Sequence, residues 1–183
     1  MFSTAKNVII IRMEIQNKYH YVIFKTRWGW FGLLGNEKGL IRTCLPVAKK
    51  EAIENRMLSD VPNAKLSKKA FSALEKGIQE YYKGEKIDFS DVNVCLDGFS
   101  DFQQKVLTAL RSITYGNSVS YGQLARLSAN SKAARAIGSV MAANPLPLII
   151  PCHRVIKSDG TVGQFSAPGG IQTKIRMLDL EKM

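Results

Sequence analysis

The sequence predicts an α+β chain in two parts: a small N-terminal α/β unit built on a strand meander, then a helical C-terminal unit with a helix-turn-helix pattern. Three observations predict it. Short runs rich in Val, Ile, Tyr, Phe and Trp, punctuated by glycine turns, fill residues 8–47. Apolar residues at helical spacing take over afterwards. The charge pattern changes too: residues 1–97 interleave 16 cations with 11 anions, whereas residues 102–158 hold seven cations and no acid. With 183 residues, 45% of them apolar and 22% charged, the chain can bury a real core as one large domain or two small ones. The compositional shift favours two, 1–97 and 98–183.

Val8 to Ile15, His20 to Thr26 and Trp30 to Leu34 read as strands, with Gly29, Gly35-Asn36 and Gly39 as turns. From Lys49 to Met57, and again from Ser67 to Tyr82, the spacing predicts helices. In the second, Ala70, Phe71, Leu74, Ile78, Tyr81 and Tyr82 carry the pattern, Ser67 is the N-cap and Gly84 lies just past the end. Lys83 to Gly98 mixes turn residues with the brief alternation Val92, Val94, Leu96 and reads as the connection between the units. Ser100 caps a helix from Asp101 to Ile113 that puts Phe102, Val106, Leu107 and Leu110 on one face, and Tyr115-Gly116-Asn117 ends it. Ser120 caps Tyr121 to Ser128. After Ala129-Asn130-Ser131 a third helix, Lys132 to Ala143, completes the helix-turn-helix. Its small residues Ala133, Ala134, Ala136 and Gly138 either let the backbone approach a duplex closely or serve tight helix packing alone.

An acid-free stretch with seven cations makes a one-signed field that attracts polyanions, nucleic acid being the commonest, with mere solubility as the competing account. No run of 18 apolar residues occurs, and Val8 to Ile11 is too short for a signal sequence. Neither a membrane span nor secretion is expected, and the default compartment is the cytoplasm. Cys44, Cys95 and Cys152 are an odd number at wide spacings, as in a reducing compartment. His20 and His153 are the only histidines and no CxxC or HxxxH pair is present, so no metal site is expected.

Pro145-Leu146-Pro147-Leu148-Ile149-Ile150-Pro151 cannot be helical through its prolines, and this stiff run delivers Cys152, His153 and Arg154 at its end. A cysteine beside a histidine and an arginine has a base and a positive field at hand, both of which favour thiolate over thiol. The competing reading is a small buried hydrophobe, as most free cysteines are, and that reading suits Cys44 and Cys95.

Ile150-Pro151-Cys152-His153-Arg154-Val155 resembles the active-site motif of the O6-alkylguanine-DNA alkyltransferases, the methylated-DNA–protein-cysteine methyltransferases. The resemblance continues through Val119-Ser120-Tyr121-Gly122-Gln123-Leu124-Ala125, Lys132-Ala133-Ala134-Arg135-Ala136-Ile137-Gly138, Asn144-Pro145-Leu146-Pro147 and Gly169 to Glu181. It covers residues 100–181 in order and spacing; the N-terminal half is similar only in size and in its strand-then-helix plan. It implies an RNase H-like N-terminal domain, residues 1–97, and a winged helix-turn-helix C-terminal domain, residues 98–183. The implied activity is DNA repair by direct damage reversal, one irreversible transfer of an alkyl group from O6-alkylguanine in duplex DNA to Cys152, with no cofactor and no metal. O4-alkylthymine as a second substrate stays open.

Residue by residue, the resemblance makes His153 the histidine that draws the thiol proton through a water and Glu181 the carboxylate that orients it. Read alone, Glu181 is a solvated acid near the last residue. Tyr121 matches the tyrosine that protonates the departing guanine, and Asn144 the asparagine that joins the active-site turn to the helix-turn-helix. Arg135 matches the arginine that enters the duplex as the damaged nucleotide rotates out. Ala134, Lys132, Tyr121, Gly138 and Met141 are expected on the DNA side with it. Pro147, Val155, Gly163, Phe165 and Ser166 are expected to line the substrate pocket, Phe165 standing where the family frequently has tyrosine. Lys157-Ser158-Asp159-Gly160-Thr161 reads as a hairpin turn between Val155-Ile156 and Val162, which would be the wing. The implied partner is double-stranded DNA carrying O6-alkylguanine, bound by a monomer with no obligate protein partner and no membrane, in the cytoplasm or, in a eukaryote, the nucleus. Two other classes stay open. A non-catalytic helix-turn-helix regulator leaves Pro-Cys-His-Arg unexplained, and a thiol hydrolase needs an oxyanion hole and a small-molecule cleft.

Overall fold

Side chains alternate across a strand, and β1 (His20–Thr26) uses both faces: Val22 and Phe24 join one apolar cluster, Ile23 another. A sheet apolar on both sides needs a cover on each. β1, β2 (Gly29–Asn36) and β3 (Gly39–Val47) form an antiparallel meander, in which β1 and β2 are expected strands and β3, after the Gly39 turn, is an addition to them. On one face lies α1 (Lys50–Leu58), whose Ile53 and Met57 pack on Leu34 and Cys44. Gly32 lets this helix sit down on the sheet, since a Cβ there would stand 2.6 Å from Ile53 Cγ2. On the other face lies α2 (Lys68–Tyr81), which buries Ile78 and Tyr81. Between the helices β4 (Lys65–Leu66), a pairing too short for any sequence pattern, adds to β1 in parallel and gives the order β3-β2-β1-β4.

The computed structural model describes residues 19–128 and 134–182, without the side chains of residues 134 and 135. The expected strand Val8 to Ile15, the turn Ala129 to Ser131 and Lys132 lie outside the described residues. The remaining elements are α3 (Asp101–Arg111), β5 (Val119–Ser120), α4 (Tyr121–Leu127), α5 (Ala134–Ala142), a 3-10 turn (Cys152–Arg154), β6 (Val155–Ile156) and α6 (Gly170–Leu180). With six helices and a mixed four-stranded sheet among the described residues, the fold class is α+β. α3 and α4 each begin with a full capping box, in which Ser100 and Ser120 accept from the backbone of Gln103 and Gln123 while those glutamines accept from the cap N–H groups. Among the described residues no helix is long and apolar enough to cross a membrane.

Two features differ from expectation. The turn after Cys152 forms, with Lys157 N donating to Thr161 O at 2.9 Å and Gly160 at φ +81°, but the return strand at Val162 does not. β6 pairs in parallel with β5 instead, Val155 opposite Val119. The chain after the turn is drawn elsewhere: Gly163 lies against the Tyr121 hydroxyl and Ser166 Oγ donates to Ala142 O at 3.1 Å. The second difference is the intimacy of the two halves. A single apolar cluster joins Val22, Phe24, Phe31 and Tyr81 to Leu107, Leu124, Ile150 and Cys152. The segment after α2 binds the edge of β3, where Leu40 N donates to Asn93 O at 2.9 Å and Cys95 N to Leu40 O at 2.8 Å. Gly39 makes this approach possible, because at φ +140° a Cβ there would meet Asn93 O at 2.6 Å.

Candidate active site

The proline-rich run before Cys152 is held from both sides. From the N-terminal sheet, Thr43 N donates to Pro145 O at 2.9 Å and Thr43 Oγ1 to Pro147 O at 2.7 Å. From the end of α5, Asn144 Nδ2 donates to Ile150 O at 2.8 Å and to Cys152 Sγ at 3.2 Å, while its Oδ1 accepts from Leu146 N at 3.0 Å. Leu148, the only non-glycine residue at positive φ (80°) among those described, shows how sharply the run bends. Asn144 therefore ties the helix-turn-helix to the cysteine turn.

Cys152 is 5% exposed and lies between two cavities. One, of about 400 Å³, is lined by Tyr121, Gly138, Met141, Phe165 and Ser166. Gly138 and Met141, expected on the DNA side, thus face this cavity. The other, of about 160 Å³, is lined by Thr43, Cys44, Pro145 and Pro147. Of the expected pocket residues, Pro147 lines the second cavity with Cys152, Phe165 and Ser166, whereas Val155 and Gly163 line neither. Pro147 is turned toward β3 by its bond with Thr43, and Val155 is a fully buried strand residue whose carbonyl accepts from Lys174 Nζ at 2.6 Å. Ala134 and Arg135 fall in the first turn of α5.

Behind Cys152 lies a charge cluster centred on Glu181. Its Oε1 accepts from His153 Nε2 at 2.7 Å, Tyr81 Oη at 2.8 Å and Arg154 Nη2 at 2.9 Å. Its Oε2 accepts from Arg154 Nε at 2.8 Å and Gly116 N at 3.3 Å. Burial alone would raise this carboxyl, but the hydrogen bonds and charges of His153 and Arg154 outweigh it and hold Glu181 at about 2. An ionised carboxylate can only accept, so His153 Nε2 carries the proton and donates it. Burial pushes His153 below its ordinary value, so the ring is neutral and Nδ1 is its lone pair. That nitrogen is buried and has no partner among the described residues.

The electrostatics at the thiol differ from the sequence expectation. Arg154 does not serve Cys152, because its Nε and Nη2 are committed to Glu181 and its Nη1 to Ile113 O at 2.5 Å. Burial pushes the Cys152 thiol up, against the Asn144 hydrogen bond and the charge of Lys174, which pull it down. The resting group is a thiol that must lose its proton in the reaction. Lys174, fully buried on α6, was not singled out from the sequence. Its signal was a lysine at helical spacing from Met177 and Glu181, on the face α6 buries. Tyr81 and Thr43 carried no comparable signal.

Known proteins resemble both the sequence and the fold. The family model for the DNA-binding domain of 6-O-methylguanine DNA methyltransferase matches residues 101–183. The chain is 32% identical over 163 residues to a methylated-DNA–protein-cysteine methyltransferase of Methanosarcina acetivorans, covering 88% of this chain and 97% of the relative. It is 38% identical over 126 residues to the protein of that name from Haemophilus influenzae, covering 67% and 69%. The structure of Mycobacterium tuberculosis OGT in complex with DNA superposes with a TM-score of 0.74 at 33% identity, covering 89% of this chain and 92% of that one.

Proposed function

The chain belongs to the methylated-DNA–protein-cysteine methyltransferase family, and we propose that Cys152 is the acceptor with which it repairs alkylated DNA by direct reversal. One observation carries this reading: Cys152 forms the wall of a cavity, held by Asn144, next to a neutral histidine backed by a buried carboxylate. The substrate is O6-alkylguanine in double-stranded DNA. Cys152 Sγ attacks the alkyl carbon, and the S–C bond forms as the C–O6 bond breaks. The thiol proton passes through a water to Nδ1 of His153, and the guanine leaves with a proton from the Tyr121 hydroxyl. The product is a thioether, which cellular thiols do not reverse, so each molecule acts once.

Burial suits this task. A thiol kept protonated in a closed site reacts little with stray electrophiles, and the relay deprotonates it only when the substrate is seated. Glu181, neutralised by Arg154, keeps His153 in the tautomer that presents a lone pair without turning it into an imidazolium. Burial first, and then negative charge as it develops on Cys152, raise the Tyr121 phenol, so it holds its proton until the guanine takes it.

The base reaches the cavity only after leaving the stack. Arg135, at the start of α5, is the residue we assign to the space it vacates, and Lys132 and Ala134 are assigned to DNA contact with it. The acid-free segment 102–158 supplies the positive field for the backbone. We divide the chain into an RNase H-like unit, 1–97, and a winged helix-turn-helix unit, 98–183; the family match starting at residue 101 supports the boundary. The protein acts as a monomer without a protein partner, in the cytoplasm or, in a eukaryote, the nucleus. Cys152→Ala tests the assignment: it should bind lesion-bearing duplex as the wild type does and leave every methyl on the guanine. Methyl transfer by this variant onto Cys44 or Cys95 would contradict it.

A further inference from the structure

Tyr81 is the last residue of α2, in the N-terminal half, yet its hydroxyl donates to Glu181 Oε1 at 2.8 Å from 100 positions away in the sequence. It is fully buried, edge-on to Tyr82 and Tyr115 and against Phe89. The oxygen it reaches is the one that holds His153 Nε2. We infer that Tyr81 is a positioning residue of the transfer reaction, setting how strongly Glu181 pulls on His153, so that the N-terminal half takes part in the chemistry. This inference rests on the Cys152–His153–Glu181 relay above.

Three donors, from His153, Tyr81 and Arg154, share Oε1, and each draws charge from it. Burial first, and then the carboxylate, push the Tyr81 phenol well above its ordinary value, so it remains a neutral donor at every working pH. Without that hydroxyl, Oε1 turns more of its charge on the Nε2 proton and His153 becomes a stronger base. The other groups acting on this pair are cations or neutral donors. Arg154 in the 3-10 turn and Lys174 on α6 both lower His153, Tyr115 in the loop after α3 senses Glu181, and the Gly116 amide reaches Oε2. Among the described residues, Tyr81 is thus the one uncharged side chain that shares Oε1 of Glu181 with the histidine. Tyr82 is a built-in control: the next residue, as deeply buried, with a hydroxyl that has no partner among the described residues.

The experiment is the single-turnover rate of methyl transfer from O6-methylguanine duplex against pH, together with the midpoint of the His153 ring titration followed by 15N NMR in the DNA-free protein. Wild type, Tyr81→Phe, Tyr82→Phe and Glu181→Gln are compared. Because neutral His153 is the active form, a stronger base loses activity earlier as pH falls. Tyr81→Phe is expected to move the acid limb and the ring midpoint up by about half a pH unit, with DNA affinity unchanged and Tyr82→Phe overlaying the wild type. Placing 3,5-difluorotyrosine at position 81, which keeps the shape and strengthens the donor, should move both the other way, and this arm decides the matter if Tyr81→Phe does not fold. Glu181→Gln displaced while the Tyr81 substitutions leave the midpoint in place overturns the role of Tyr81 alone. Glu181→Gln overlaying the wild type overturns the relay, and this inference with it.

Discussion

Glu181→Leu is expected to cost about 3–5 kcal/mol of stability, because it removes one member of a buried pair and leaves the other charge uncompensated. The stranded group is Arg154, which is 6% exposed and keeps, among the described residues, Ile113 O and the face of the Tyr115 ring but no counter-charge. Tyr81 Oη and His153 Nε2 lose their acceptor in the same step. Glu181→Gln keeps the shape and an acceptor oxygen, so it should fall less in stability while still losing roughly 100-fold in transfer rate, the lower range for a positioned base. The sign of the pH dependence follows from the depressed carboxyl. Glu181 titrates at about 2 in the fold against an ordinary 4.5, so its contribution is complete above 4.5 and drains away as pH falls toward 2. The amount lost is about 3 kcal/mol. His153, lowered by burial, acts in the same direction, since the unfolded chain takes up its proton first as the solution is acidified. Denaturant unfolding at a series of pH values checks this: the gap between wild type and Glu181→Gln should be widest near neutrality and close in acid. A gap independent of pH would mean that Glu181 is not ionised in the fold.

Lys174→Met is expected to do the opposite, holding or raising stability while slowing the reaction. A fully buried ammonium whose one hydrogen bond among the described residues is to Val155 O is a poor stabiliser, and burial already lowers its own proton affinity. Methionine fills a similar volume without the desolvation cost, which should add about 1–3 kcal/mol, less the bond to Val155. The loss falls on Cys152, whose thiol Lys174 pulls down. If attack follows the thiolate fraction, each unit of rise in the thiol slows transfer about tenfold. The alkylation rate of Cys152 by a small reagent against pH, measured beside unfolding, separates the two effects. Unchanged thiol titration with lower stability would make Lys174 a packing residue and nothing more.

These two residues also mark how far the sequence could be read. Strand alternation, helical spacing and serine caps located β1, β2 and the helices α1 to α5 to within a residue or two, because they are local patterns with local physical causes. β4 has no sequence pattern because its pairing with β1 is set by the path of the chain between two helices, and the turn after Cys152 does not bring a return strand because a turn signal does not say which partner a strand will take. At the site, the Pro-Cys-His-Arg run and the distant Glu181 were legible through the family resemblance. Adjacency in the sequence puts Arg154 beside the thiol, and the fold turns it away toward Glu181. Tyr81 and Thr43 were out of reach, since nothing in a one-dimensional pattern joins position 81 to 181 or 43 to 147.

The central claim is that Cys152 accepts one alkyl group, once. The direct measurement is the intact mass of the wild-type protein after mixing with excess duplex carrying a single O6-methylguanine, followed by peptide mapping. The protein should gain one methyl in place of one hydrogen, with the gain located on the peptide that contains Cys152 and no second addition however long the incubation. A protein of unchanged mass, a methyl on Cys44 or Cys95, or continued turnover of lesions by an unmodified chain would contradict it.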